Sequence, residues 1–256
     1  MRTKHSPTCE RKGSDFLRML ADKPLRPASG FLDRTIHVSD TFRREVIGFI
    51  AKQLPLWKGR LSATERQESE TFLTDKLRSH LNSATRHSDG FDVLQFGTEV
   101  PDEIKKGRVI DLAAKPCAAV IVIEGRAYTD FETVLPIECK RLPIPRGQDR
   151  DEREYVYSAH SSTGGVQRFK AGHHGGAHNL GAMIAYVQEG ETGVWEEQIS
   201  TWIHELAKLD PSSWSLDDLL QRTPNQPLGV AQLRSSHRRK SGLGEIMLEH
   251  LWLVMN

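Results

Sequence analysis

The sequence predicts an α/β protein in which helices flank a mixed central sheet. Three observations carry this expectation. Apolar residues recur at helical spacing early in the chain, strand-like runs rich in Val and Ile follow, and then helical and strand-like segments both return. With 256 residues the chain is long enough to bury one sizeable core. It shows neither an internal repeat nor a low-complexity tract.

Residues 1–38 are polar, are punctuated by "KPLRPASG" and read as a flexible lead-in, leaving 39–256 as a single domain. "DTFRREVIGFIAKQL" opens with Asp40 as N-cap and sets Phe42, Val46 and Ile50 at helical spacing. A second helix is expected through "SATERQESETFLTDKLRSHLNS", capped by Ser62, with Leu73, Leu77 and Leu81 as its buried stripe. Three residues before Leu73 stands Glu70, a carboxylate on the apolar face. After the turn "HSDG", four strands are expected at "FDVLQFGTEV", "GRVIDLAA", "CAAVIVIEGRAYT" and "ETVLPIECKRL". The charged loop "PIPRGQDRDEREY" comes next. Helices are then expected at "GGVQRFKAG", "AHNLGAMIAYVQEG" and "GVWEEQISTWIHELAKL", where Trp195 and Trp202 read as core. Two last strands, "GVAQLRSS" and "EIMLEHLWLVM", flank the basic turn "HRRKSG".

The formal net charge of +1 gives no global attraction to polyanions, so any nucleic-acid contact must come from a local patch. Cys9, Cys117 and Cys139 show no pairing framework, the N-terminus lacks the apolar run of a secretory signal, and no stretch approaches the roughly 20 apolar residues of a membrane span. A soluble cytoplasmic protein is expected. No Gly-x-x-x-x-Gly-Lys-Ser/Thr loop occurs, so NTP hydrolysis is not expected.

The chemistry centres on "LPIECKRL". Strand alternation sends Ile137 and Cys139 to one face and Glu138 with Lys140 to the other. In "RVIDLAA", Asp111 likewise shares a face with Val109 and Ala113. A Mg²⁺-dependent phosphodiesterase needs converging carboxylates for a hard cation, and a protein cation near the attacking water. Glu-x-Lys by itself means little, because it also occurs at Glu10/Lys12 and Glu103/Lys105. The first pair lies in the polar lead-in, and the second, in "PDEIK", reads as a turn. Only Glu138/Lys140 sits in an apolar strand behind another acid-bearing strand.

Asp111 followed by Glu138-Cys139-Lys140, with Glu70 on the preceding helix, resembles the PD-(D/E)xK phosphodiesterase superfamily over residues 65–190. Ile110 stands where the motif often has Pro, and Gln167 is followed four residues on by Ala171 rather than Tyr, so the RecB-like branch is not assigned. The resemblance implies a restriction-endonuclease-like α-β-β-β-α-β core. It also implies that Asp111, Glu138, Glu70 and the backbone carbonyl of Cys139 bind Mg²⁺, or Mn²⁺ in its place, and that Lys140 orients the nucleophilic water. "GGVQRFKAGHHGG…GAMIAYV" with "SSHRRK…LEHLWL" is similar to bacterial nuclease-like proteins of suspected phage-defence role.

Other groups have plainer readings. Asp130 and Glu132 sit at an apparent hairpin, where Asp favours turns. In "HHGGAH", His174 and His178 have chelating spacing, but glycines lie between them and no further ligand follows; a loop is favoured over a zinc site. Arg141, Arg146, Arg150 and Arg153, then Arg168 and Lys170, and finally His237, Arg238, Arg239 and Lys240 form basic clusters suited to a phosphate backbone. The competing reading pairs the loop arginines with Asp149, Asp151, Glu152 and Glu154. The expected function is a metal-dependent nuclease acting on nucleic acid, DNA before RNA, with a partner subunit or self-association to complete it. The alternative is a catalytically silent nucleic-acid-binding or scaffold module on the same fold.

Overall fold

In the computed structural model, two helices lead into the sheet. Helix α1 (Thr41–Lys58) and helix α2 (Glu70–Thr85) are joined through a short 3₁₀ turn (Glu65–Gln67). The residues described are 40–104, 107–117, 120–145, 147, 150–160, 164–224, 226–239 and 242–256, all within one compact unit. The lead-in at 1–38 lies outside them. Among the described residues no helix is long and apolar enough to cross a membrane.

Asp40 holds the N-cap position of α1, as the sequence predicts, whereas the start of α2 differs from expectation. Asp40 precedes α1 with φ of 65°, but its side chain makes no capping bond; its carboxylate instead takes Arg43 and, at 3.1 Å, the amide of Asn179. Ser62 opens the 3₁₀ turn by accepting from the Glu65 N–H at 3.2 Å. The cap of α2 is Ser69, which accepts from the Phe72 N–H at 3.2 Å. Glu70 is therefore the first residue of α2 rather than a member of a mid-helix stripe. A helix start there lets its carboxylate reach β5, where it meets Lys140 and the Arg141 N–H.

Among the described residues the sheet has seven strands. β1 (Leu94–Pro101), β2 (Val109–Pro116) and β5 (Leu135–Leu142) run antiparallel in turn. β6 (Leu180–Val187) and β9 (Glu245–Val254) continue parallel to β5, and β8 (Ala231–Arg238) with the two-residue β7 (Gln221–Arg222) close the far edge antiparallel. The order is β1-β2-β5-β6-β9-β8-β7, a mixed sheet as expected. Helices α3 (Gly165–Lys170) and α4 (Thr192–Leu209) follow β5 and β6.

Two expectations about elements are corrected. "CAAVIVIEGRAYT" is not one strand but a hairpin, β3 (Val120–Ile123) and β4 (Arg126–Thr129), forming a separate two-stranded sheet. Glu124 and Gly125 both take positive φ, the backbone a tight hairpin turn requires. "AHNLGAMIAYVQEG" contains β6, not a helix. Leu180, Ala182, Ile184 and Tyr186 bury in the layer under α1 and α2, while Met183, Ala185 and Val187 bury in the layer with α3 and α4. A strand buried on both faces shows no alternation, so periodicity cannot separate it from a buried helix.

The core is accordingly two-layered. Leu54, Leu73, Leu77 and Leu81 pack with Ile137, Cys139 and Leu251 on one side, and Phe169, Ile199, Trp202 and Ile203 with Trp252 on the other. Glu138 and Lys140 belong to neither hydrophobic cluster, although both are buried.

Candidate functional site

The ladder between β2 and β5 is short: Ala114 pairs with Leu135, Ala113 with Pro136 and Leu112 with Ile137. The next register position would set Asp111 opposite Glu138, and there the two strands part. The Asp111 carboxylate accepts the Cys139 N–H at 3.0 Å, taking the place of the missing ladder bond. On its other edge β5 stays bonded to β6 through Leu142. Residues opposite one another in an antiparallel register share a face, so both acids look into the opening. A strand residue sends its N–H and C=O to the same side, which puts the Cys139 carbonyl on the Asp111 side as well.

Lys140 gathers the acids. Its ammonium lies 2.9 Å from Glu138 Oε1, 3.2 Å from Glu70 Oε1 and 3.8 Å from Asp111 Oδ2. Glu70 reaches in from the start of α2 and with its second oxygen accepts the Arg141 N–H at 3.2 Å, tying α2 to β5. Burial alone would discharge Lys140, but Glu138, Glu70 and Asp111 outweigh it and raise its pKa, so it stays an ammonium. Burial also pushes Glu138 upward, yet Lys140, His174 and Arg168 prevail and hold it well below the usual carboxylate range. For Asp111, desolvation and then the charge of Glu138 dominate over Lys140, and its pKa rises to about 7. The Cys139 thiol is pushed up by burial and lies on the core side, so it is no nucleophile.

Two further side chains close on Glu138. Arg168, on α3, donates to Glu138 Oε1 at 2.8 Å and stands 4.0 Å from Asp111 Oδ1. His174 Nδ1 is 2.8 Å from Glu138 Oε2, although the ring is not turned for a hydrogen bond and both atoms lack one among the described residues. From the sequence, Arg168 is a candidate phosphate contact and His174 a loop residue. No local spacing connects either to Glu138, because the chain crosses a loop and a helix to bring them back. His178 diverges toward Glu103, at 3.6 Å, so the two histidines do not share a ligand.

Among the described residues, no group of three or more His, Cys, Asp or Glu side chains is arranged to hold a metal ion. The carboxylates are turned onto Lys140 and Arg168 instead. Their donor chemistry nonetheless suits a hard divalent cation: Asp111, Glu138 and Glu70 offer oxygens only, and Glu138 Oε2 is a buried acceptor without a hydrogen-bond partner.

The expected phosphate-gripping residues separate. Arg141 donates to the Glu68 carbonyl at 3.3 Å from a half-buried position. Arg238 is exposed beside Glu245 at 3.8 Å. Arg239 is tied to the Leu243, Gly244 and Gly175 carbonyls, a structural role in two loops. In the charged loop, Arg150 faces Glu154 and Arg153 pairs with Asp151, as the competing reading had it. Arg146 and Lys240 lie outside the described residues. Lys170 is buried, donates to Asp218 Oδ1 at 2.5 Å and lies over the Trp214 ring, so its ammonium is engaged inside the fold. Glu132 closes its turn by accepting from the Thr129 N–H and hydroxyl, in keeping with the turn reading of that stretch.

Lys170 belongs to a buried polar chain whose members lie far apart in sequence. Asp218 Oδ1 meets His237 Nδ1 at 2.6 Å, His237 Nε2 meets Ser235 Oγ at 2.6 Å, and Ser235 Oγ meets His250 Nε2 at 2.8 Å. His250 Nδ1 then meets the Tyr155 hydroxyl at 2.8 Å, which accepts from Trp252 Nε1 at 2.8 Å. One donor direction satisfies every link. Trp252 donates to Tyr155, Tyr155 to His250, His250 to Ser235, Ser235 to His237, and His237 and Lys170 to Asp218. It requires both imidazoles to be neutral. Burial lowers the pKa of both, in agreement. The Asp-His-Ser order resembles a nucleophile relay, but Ser235 is buried, so the chain is structural. The available signal was the inward face of β8, where Leu233, Ser235 and His237 alternate with exposed residues.

Comparison with protein-family models, with curated proteins and with solved structures found no match for this chain.

Proposed function

We propose that the protein is a divalent-cation-dependent nuclease that hydrolyses phosphodiester bonds, with DNA as the expected substrate. The carrying observation is the convergence of Glu70, Asp111 and Glu138 on Lys140 where β2 and β5 part. Holding three carboxylates together around one buried lysine is a weak source of stability for a fold. Such an arrangement is expected where charge is to be managed in a reaction. In support of the reading, with the hairpin β3–β4 set aside the elements run α2, β1, β2, β5, α3, β6, the order that a restriction-endonuclease-like core would require.

Asp111, Glu138 and the Cys139 carbonyl would hold Mg²⁺ or Mn²⁺, with Glu70 as a further oxygen. When bound, such an ion supplies Lewis acidity toward a phosphoryl oxygen and lowers the pKa of water. Lys140 supplies a fixed positive charge beside the attacking water and the oxygens that gain charge as the P–O bond breaks. Glu70 keeps that ammonium in place through its own contact. A partner subunit, self-association and a role in phage defence belong to the same proposal.

The rival reading, a silent nucleic-acid-binding scaffold, is favoured by one observation: Lys140 and Arg168 already neutralise much of the acid cluster. Cleavage of plasmid, linear and single-stranded DNA and of RNA, with Mg²⁺ or Mn²⁺, separates them. Lys140→Ala and Asp111→Ala should each lower the rate by about 100-fold or more. Equal rates in all three proteins would overturn the nuclease reading.

A further inference from the structure

We infer that Arg168 is a built-in competitor of the divalent cation: it occupies the carboxylate oxygens in the metal-free protein and gives them up when a cation binds. This rests on the metal-dependent reading above and deepens it. Arg168 spans the two acids that would hold the ion, at 2.8 Å from Glu138 Oε1 and 4.0 Å from Asp111 Oδ1. Glu138 Oε1 is shared with Lys140 at 2.9 Å, so that oxygen already has two cationic donors. Mg²⁺ demands ligand oxygens at roughly 2.0–2.1 Å in near-octahedral order. A guanidinium lodged between the same two carboxylates obstructs that approach and repels the incoming charge.

Of the two resident cations, Arg168 is the exchangeable one. The Lys140 side chain is 4% exposed and fixed within β5, whereas Arg168 is 21% exposed and comes from a six-residue helix. A long, planar side chain at that place can leave the acids without unpacking the core. Once released, its forked N–H groups match a phosphate well. The same residue would then serve both states, neutralising the acids without metal and meeting the nucleic-acid backbone with it. Coupling of this kind is reciprocal: whatever Arg168 costs the cation in affinity, the cation costs the Arg168–Glu138 pair.

The test is calorimetric titration of Mn²⁺ and Mg²⁺ alone into the wild type, Arg168→Gln and Arg168→Lys, with urea unfolding to verify that each variant is folded. Arg168→Gln should bind the ion more tightly, by about 5- to 150-fold, the usual range of coupling between sites. Arg168→Lys, which keeps the charge but lacks the fork, should fall between. Cleavage by Arg168→Gln should nonetheless be slower, a divergence that simple loss of structure does not produce. Unchanged or weaker ion binding in Arg168→Gln would overturn the competition while leaving the nuclease reading in place. No ion binding by any of the three proteins would overturn the metal-dependent reading itself, and this inference with it.

Discussion

Replacing Lys170 by methionine removes the ammonium from the pair with Asp218, whose side chains are 10% and 3% exposed. Asp218 then keeps its bond from His237 Nδ1 and its backbone bond from Ser215, but loses the cation beside it. Burial pushes the Asp218 carboxyl up, and His237 together with Lys170 holds it below its ordinary value, so the smaller part of that support disappears. Removing one partner of a buried pair costs about 3–5 kcal/mol, because the other charge is left uncompensated. For a domain of this size that corresponds to a fall in Tm of roughly 6–20 °C. Urea unfolding of the wild type, Lys170→Met, Asp218→Asn and the double variant is the assay. The double variant should lose less than the two single losses combined, since it leaves no orphaned charge. Nucleic-acid affinity of Lys170→Met, measured well below its unfolding midpoint, should stay within about twofold, given that only side chains reaching a phosphate change it. An unchanged urea midpoint joined to lost nucleic-acid binding would refute the reasoning and restore Lys170 as a phosphate contact.

Acid should destabilise the protein through the same chain. His237 and His250 are held neutral when folded, with pKa below the ordinary 6.5, so the unfolded chain takes up protons that the folded one refuses. Stability is therefore complete above about pH 6.5 and falls as the pH drops below it, which urea midpoints between pH 5 and 8 measure. Glu70→Gln should lower cleavage by about 10- to 100-fold, as loss of a supporting contact at a metal site does, while the urea midpoint moves little. Gly165→Ala would set a Cβ 2.5 Å from Met183 Cε and 2.8 Å from the Tyr155 carbonyl, so a loss of about 1–3 kcal/mol is expected together with weaker cleavage as α3 shifts Arg168. Alkylation of the native protein followed by peptide mass analysis should mark exposed Cys117 and spare buried Cys139.

What could be read from the sequence was whatever a local period or a local contrast encodes. Helices α1, α2 and α4, strands β1, β2, β5, β8 and β9, and the shared face of Glu138 and Lys140 follow from spacings of two to four residues, and those spacings are visible in one dimension. The choice of Glu138/Lys140 over "PDEIK" also needed only local context, and Glu103 does lie just past the end of β1, where it accepts the Thr133 N–H. Strand β6 escaped because both its faces are apolar, which erases the alternation that marks a strand. The start of α2 shifted because Ser62 and Ser69 both precede helical turns, and only packing selects the cap.

The site itself divides along the same line. Sequence alone determined which residues carry the chemistry on one strand: a carboxylate and a lysine at period two, with Ile137 and Cys139 anchored opposite. Tertiary structure decided what they meet. The early end of the β2–β5 ladder, which exposes Asp111 to Glu138, depends on the register of strands joined through an intervening hairpin. The arrival of Arg168 and His174 at Glu138, and the burial of Lys170 against Asp218, depend on how a short helix and the loop after it pack against β5 and the turn carrying Asp218. Strand periodicity is a property of neighbouring residues and survives in the bare sequence. Electrostatic environment is set by distance through space, and for these side chains the chain must fold before that distance exists.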